Sequence, residues 1–182
     1  MRIISGKARG IKLYTLEGNN TRPTLDRVKE SIFNIIQQDV QDCVFLDLFS
    51  GCGAIGLEAV SRGAKKAILC DKSKEAIKII KKNIEKTKFM DNTVVLGMDF
   101  EQALNGEIKE KIDIVYLDPP YKTNFIYKAI RLMINNSIID KNTKIILETD
   151  EEERVLKELE QLDIDVIDKR KYGRAKIVFL KI

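Results

Sequence analysis

Residues Asp118-Pro119-Pro120-Tyr121 follow the apolar run Ile112-Asp113-Ile114-Val115-Tyr116-Leu117, so an acid, a proline-stiffened turn and an aromatic stand at the end of a buried strand. Such a turn suits chemistry on an exocyclic amine. On a nucleobase the amine lone pair is delocalised into the ring, and an enzyme that needs it as a nucleophile must hold acceptors against its two protons. The Asp118 carboxylate and the Pro119 carbonyl can be those acceptors. Two successive prolines fix φ at about −65° and remove two backbone donors, leaving carbonyls that face a ligand rather than a ladder. Tyr121 offers a flat face on which an extruded base can stack. The plainer reading of the same residues is a turn that stops the sheet.

A second segment narrows the choice. Val44-Phe45-Leu46-Asp47-Leu48-Phe49 leads into Ser50-Gly51-Cys52-Gly53-Ala54-Ile55-Gly56 and then Leu57-Glu58-Ala59-Val60, the order strand, glycine-rich turn, helix. Gly51, Gly53 and Gly56 fit G-x-G-x-x-G, a weak signal by itself. A pyrophosphate site wants the helix N-terminus open to an anion, whereas Asp47 at the strand end suits a cationic amino acid tail. The next apolar strand, Ala67-Ile68-Leu69-Cys70, ends at Asp71, where a carboxylate can take both hydroxyls of a ribose. Asp99 follows Thr93-Val94-Val95-Leu96-Gly97-Met98 and precedes Phe100, placed to meet an adenine amine with the ring alongside. Four successive strand ends thus carry acids, and in an open parallel sheet these ends share one crevice. Each acid alone could equally cap the helix that follows it. Together they fit S-adenosylmethionine, with its sulfonium, ammonium, ribose and adenine; the expected cofactor set is Asp47, Phe49, Gly51, Gly53, Asp71, Asp99 and Phe100.

The elements that must position these residues alternate. Strand-like runs near 43–48, 66–71, 92–98, 112–118 and 143–149 interleave with helical patterns near 54–62, 73–88, 100–105, 125–136 and 151–162, which predicts an α/β fold with a mostly parallel sheet and helices on both faces. Two last strands, Ile164-Asp165-Val166-Ile167 and Ala175-Lys176-Ile177-Val178-Phe179-Leu180, flank a Lys-Tyr-Gly-Arg turn and predict a closing antiparallel hairpin. The 182 residues suit one domain, 1–182.

Charge is concentrated. Residues 1–29 hold Arg2, Lys7, Arg9, Lys12, Arg22, Arg27 and Lys29 against Glu17 and Asp26, an excess of five positive charges in a chain whose net charge is +4. The runs Ile3-Ile4 and Ile11-Lys12-Leu13-Tyr14, joined through Gly6 and Gly10, predict a small β-ribbon within an arm over 1–23 that can neutralise phosphates. The alternative is a solvated edge whose lysines discourage strand pairing. Lys169, Arg170, Lys171, Arg174 and Lys176 with Tyr172 form a second basic cluster, a composition compatible with RNA. Histidine is absent, which excludes His-based triads, His general bases and His-ligated zinc. Cys43, Cys52 and Cys70 lack CxxC spacing and are expected to be reduced; no metal site is indicated. No apolar run approaches the roughly 18 residues of a membrane span and no secretory h-region follows Met1, so a cytoplasmic protein is expected.

With these residues in view, the chain resembles the RsmD family of 16S rRNA guanine-N2 methyltransferases, Rossmann-like class I enzymes that use S-adenosylmethionine. The resemblance runs end to end. It is carried by Arg2-Ile3-Ile4-Ser5-Gly6 with Arg9-Gly10, by Arg22-Pro23-Thr24-Leu25-Asp26-Arg27-Val28-Lys29-Glu30, by Leu46 through Ala59, and by Asp118-Pro119-Pro120-Tyr121. The glycine loop and the Asp-Pro-Pro-Tyr turn are shared with many methyltransferases; the N-terminal ribbon and the Arg-Pro-Thr helix entry point to this family. The resemblance implies catalytic Asp118, Pro119, Pro120 and Tyr121, RNA contacts from Arg2, Lys7, Arg9, Lys12, Arg22, Thr24 and Arg27, and a monomer acting on 16S rRNA in the assembling small subunit. Asp71 stands where relatives commonly carry Glu, and either serves a ribose. Two rival functions use the same residues: an adenine-N6 methyltransferase acting on DNA or RNA, and a non-catalytic RNA-binding assembly factor.

Overall fold

A computed structural model describes residues 1–16, 26–120 and 123–182. Seven strands form one sheet: β1 (Val44–Asp47), β2 (Lys66–Cys70), β3 (Thr93–Leu96), β4 (Ile114–Leu117), β5 (Lys144–Thr149), β6 (Asp165–Tyr172) and β7 (Ala175–Lys181). Their spatial order is β3-β2-β1-β4-β5-β7-β6. The first five run parallel, while β7 is antiparallel to both β5 and β6. All four residues of β4 are buried, as a central parallel strand covered on both faces requires.

The pleat divides the core in two. Phe45, Leu69, Ile114, Tyr116, Ile146 and Ile177 pack beneath α1 (Asp26–Ile35), α3 (Ala54–Ser61) and α4 (Lys74–Thr87). Their neighbours Leu46, Ile68, Val115, Leu117, Ile145 and Leu147 pack beneath α5 (Phe100–Gln102), α6 (Phe125–Asn135) and α7 (Glu152–Leu159). The alternation of 45 with 46 and of 145 with 146 is the two-residue period of a strand buried on both sides. In α4, Ala76, Ile80 and Ile84 repeat at helical spacing on the buried side, and the Ser73 hydroxyl caps the first turn by accepting from the Ala76 N–H at 3.3 Å. A short helix, α2 (Gln37–Val40), joins α1 to β1.

Several boundaries differ from expectation. The predicted helix over 100–105 is a single turn, α5, that widens into a π-helical turn over Ala103–Glu107. The strand expected at 164–167 continues to Tyr172, which pairs with Ala175, so only Gly173 and Arg174 turn. Its last residues are charged and exposed on both faces, so no period-2 pattern marks them. Where an N-terminal ribbon is expected, there is one antiparallel bridge, Arg2 to Lys12, with Ile3 N–H donating to the Ile11 carbonyl and Leu13 N–H to the Met1 carbonyl, both at 3.0 Å. Among the described residues no helix is long and apolar enough to cross a membrane.

Candidate active site

The sheet order reverses between β1 and β4, both of which pair in parallel with their neighbours. A crevice opens beyond the strand ends at such a switch point, and Asp47, Asp71, Asp99 and Asp118 all stand at that edge.

Asp47 closes β1 and is 1% exposed. Its Oδ2 accepts from the Gly56 N–H at 3.1 Å, so the carboxylate ties the strand end to the first turn of α3. That turn takes no side-chain cap; Gly53 precedes it at φ +80°. A helix start whose donor is held by a carboxylate is a poor phosphate site. Gly56 is fixed by close approach: a Cβ there would lie 2.1 Å from Leu69 Cδ2. Gly51, at φ +55°, has open space where a Cβ would stand, on the side a ligand would occupy. Asp71 is half-buried and accepts from the Gly51 N–H at 2.9 Å and the Ser73 N–H at 2.8 Å. Asp99 caps α5, accepting from the Glu101 N–H at 2.9 Å. None of Asp47, Asp71 and Asp99 has a lysine or arginine ion-pair partner among the described residues. Burial, helped by the neighbouring Asp71 charge and opposed by the Gly56 and Ser50 hydrogen bonds, pushes the Asp47 carboxyl up to about 7. Three adjacent acids compensated by neutral hydrogen-bond donors and by no cation among the described residues fit a cationic, adenosine-like ligand.

Phe49 lies 5.4 Å from Phe100 and 6.2 Å from Phe125, the latter pair stacked at 6°. Phe100 and Phe125 are 5.0 Å apart, and the Lys72 ammonium sits 5.9 Å above the Phe125 ring. Phe100 is 4% exposed, so its ring belongs to the wall of the crevice. Phe125 is absent from the sequence-based set; it begins a helix and carries no motif of its own.

At β4, Asp118 is half-buried, Pro119 is buried and Pro120 exposed. The Pro120 carbonyl accepts from the Thr123 hydroxyl at 2.9 Å, and the Thr123 carbonyl accepts from Arg154 at 3.1 Å. Arg154 is itself gripped by Glu151 at 2.7 Å and Glu158 at 2.6 Å. Helix α7 therefore anchors the turn from outside, through residues that no motif flags. Tyr121, Arg22 and Thr24 lie outside the described residues.

The N-terminal arm docks behind the glycine loop. Glu58 on α3, 0% exposed, accepts from the Ile4 N–H at 2.8 Å, the Ser5 N–H at 3.0 Å, the Lys29 ammonium at 3.1 Å and Arg62 at 2.7 Å. Lys29, also fully buried, donates to the Arg2 carbonyl. Asn83 on α4 accepts from the Tyr14 N–H at 2.8 Å while its amide donates to the Tyr14 carbonyl at 3.0 Å and to the Cys52 carbonyl of the loop at 2.9 Å. An acid inside the otherwise apolar Ala54–Val60 stretch, and an amide inside the buried stripe of α4, were the signals for these two. Lys7, Arg9, Lys12 and Arg27 are exposed, and Arg2 pairs with Asp26 at 3.0 Å. The three cysteines are free thiols; burial pushes Cys43 and Cys70 up to about 12, and Cys52 is raised too. Among the described residues no cluster of His, Cys, Asp or Glu is arranged to hold a metal ion.

Known proteins resemble this chain along most of its length. The family model described as "Conserved hypothetical protein 95" matches residues 1–181. "Ribosomal RNA small subunit methyltransferase D" of Haemophilus influenzae is 35% identical, with 86% of this chain and 82% of that protein covered. The protein of that name from Escherichia coli K12 is 33% identical over 84% of this chain and 76% of its own length. The solved structure of Escherichia coli yhhF matches with a TM-score of 0.84 at 26% identity, covering 100% of this chain and 97% of that one. An end-to-end match to the family model, joined to curated relatives above 30% identity, means that the chain belongs to the conserved hypothetical protein 95 family, the RsmD family recognised from its motifs.

Proposed function

We propose that the protein is an S-adenosylmethionine-dependent methyltransferase acting on the exocyclic N2 amine of a guanine in small-subunit (16S) rRNA. The observation that carries this reading is the Asp118-Pro119-Pro120 turn at the sheet's switch point, beside three strand-end acids that have no cationic partner among the described residues. The names of the curated relatives support the substrate class.

S-adenosylmethionine supplies an activated, electrophilic methyl group when bound. Asp47 and the Gly51–Gly53 loop hold its cationic amino acid end, Asp71 its ribose, and Asp99 with the Phe49, Phe100 and Phe125 wall its adenine. Asp118 and the Pro119 carbonyl would accept hydrogen bonds from the two N–H groups of the amine and so direct the nitrogen lone pair into the crevice. Tyr121 stacks on the extruded base. The Thr123–Arg154 anchor keeps the acceptors fixed, which matters because positioning alone can supply ~7–11 kcal/mol of barrier reduction. Lys7, Arg9, Lys12, Arg22, Thr24 and Arg27 meet rRNA phosphates, with Arg2 holding the arm to α1; residues 1–182 work as one domain with 1–23 as its RNA-binding arm. The protein works as a monomer in the cytoplasm, on rRNA of the assembling small subunit.

The test is transfer of labelled methyl from S-adenosylmethionine to small subunits from cells lacking the protein. Label should appear in N2-methylguanosine, and Asp118→Ala should lower the rate at least 100-fold with cofactor binding retained. Label in N6-methyladenosine, or near-parental turnover by Asp118→Ala, refutes the assignment.

A further inference from the structure

We infer that the tip of the β6–β7 hairpin is a second RNA-backbone contact, in which Lys171 and Arg174 neutralise phosphates flanking the target nucleotide. The inference rests on the methyltransferase reading above but uses residues outside its site.

Register fixes where the tip lies. Thr149, the last residue of β5, pairs with Lys176, and Lys176 pairs with Lys171 across the hairpin. The tip therefore projects past the C-terminal ends of the parallel strands, the edge that carries Asp118. Three strand spacings separate β6 from β4 in the sheet order, about 14 Å at ~4.8 Å each. That separation suits the backbone on either side of a flipped base, not the base itself.

Charge pairing then singles out two residues among the five of the cluster. Lys169 and Lys176 are both drawn to Glu152, at 2.9 and 3.6 Å, and Arg170 to Asp168 at 2.9 Å. Lys171 and Arg174 have no carboxylate within ion-pair distance among the described residues, and both are exposed. Three of the five cations are thus engaged by Glu152 and Asp168, while Lys171 and Arg174 are left to meet a polyanion. The tip is also held in place: the Tyr172 and Ser31 hydroxyls are hydrogen-bonded, which fastens the hairpin to α1. Tyr172 is thus an anchor, and the surface it supports is electrostatic. Along α1, Arg27 is exposed one turn from Ser31, and Arg2 of the arm pairs with Asp26 at the helix start. Helix α1 therefore connects the basic arm, at Asp26, with the anchor of the hairpin tip, at Ser31, and an extended polyanion has two separated points of contact.

The experiment is equilibrium binding of the full chain to 16S rRNA by filter retention across a salt series, comparing the parent with Lys171→Ala/Arg174→Ala. A charge-matched control, Lys109→Ala/Lys141→Ala, removes two exposed lysines that precede β4 and β5 at the opposite edge of the sheet. The tip variant should bind roughly ten-fold more weakly near 0.1 M salt, with the slope of log K against log salt shallower by about 1.4 to 1.8, as expected for two lost phosphate contacts. The control should match the parent, and S-adenosylmethionine affinity of the tip variant should be unchanged, which reports that it is folded. Equal affinity and slope for parent and tip variant, including no RNA binding by either, overturns the inference. So does a loss confined to assembled subunits with naked rRNA binding intact, which would assign the tip to a ribosomal protein. Methyl transfer by the parent is scored separately, so a failure of the methyltransferase reading is distinguishable from a failure of the hairpin contact.

Discussion

Glu58→Ala should be among the most damaging single substitutions in the chain, although Glu58 touches no ligand. Among the described residues its carboxylate is the one counter-charge of Lys29, and both side chains are fully buried. Removing the acid strands an ammonium whose other hydrogen bond among the described residues is to the Arg2 carbonyl, and a buried ion left alone costs about 3–5 kcal/mol. The Ile4 and Ser5 N–H groups lose their acceptor as well, at roughly 1 kcal/mol each for part-buried donors that water can reach. Arg62 can swing outward, since its side chain is 13% exposed, and adds little. The total, about 5–7 kcal/mol, is a large share of the 5–15 kcal/mol by which a domain is usually stable. For this chain length it corresponds to a Tm lower by at least about 10 °C. Urea unfolding followed by circular dichroism measures it. Adding Lys29→Met should recover roughly 3 kcal/mol, because the stranded charge goes and a buried apolar chain remains. A Glu58→Ala protein within about 1 kcal/mol of the parent, or no recovery in the double variant, would refute the reasoning.

Asp47 makes cofactor affinity depend on pH. Its folded value of about 7 lies above the ordinary 3.8, so in the free protein this group's stabilising contribution is complete below pH 4 and is lost as pH rises to about 7, a loss of roughly 4 kcal/mol. A bound cation favours the ionised form. S-adenosylmethionine should therefore release a proton on binding below pH 7, its affinity rising with pH and levelling off above; Asp47→Asn should flatten the profile in titration calorimetry. Gly56→Ala drives a Cβ to 2.1 Å from Leu69 Cδ2, and Leu69 is fully buried. Overpacking of about 1–3 kcal/mol should follow, visible as a lowered Tm, and a Leu69→Ala background should offset much of it.

The architecture was legible because the apolar runs are strong. Ile114 through Leu117 and Lys144 through Thr149 stand within two residues of their expected limits, and the glycine loop and four strand-end acids lie on one edge as the alternation of strands and helices requires. What escaped has physical causes. Helix α1 is expected only through its Arg-Pro-Thr entry and α2 not at all, because both fall in a charged segment where Val28, Ile32 and Phe33 alone mark the buried stripe. The far half of β6 is paired through backbone bonds while its side chains face water on both sides, so hydropathy carries no trace of it. Glu58, Asn83 and Arg154 act through partners 29 to 69 residues away in sequence, and local spacing cannot encode such contacts.

The position of β7 bears on how the molecule is made. It is the last strand along the chain yet lies inside the sheet, with Lys144–Thr149 of β5 on one side and β6 on the other. During synthesis the growing chain can assemble β1 to β5 while Ile145, Ile146 and Leu147 still present a bare backbone edge, and an exposed edge of that composition recruits foreign strands. Closure must wait until residue 181 has left the ribosome's exit tunnel. A member of an rRNA methyltransferase family would thus spend its own birth with an open seam, sealed by the seven residues of β7.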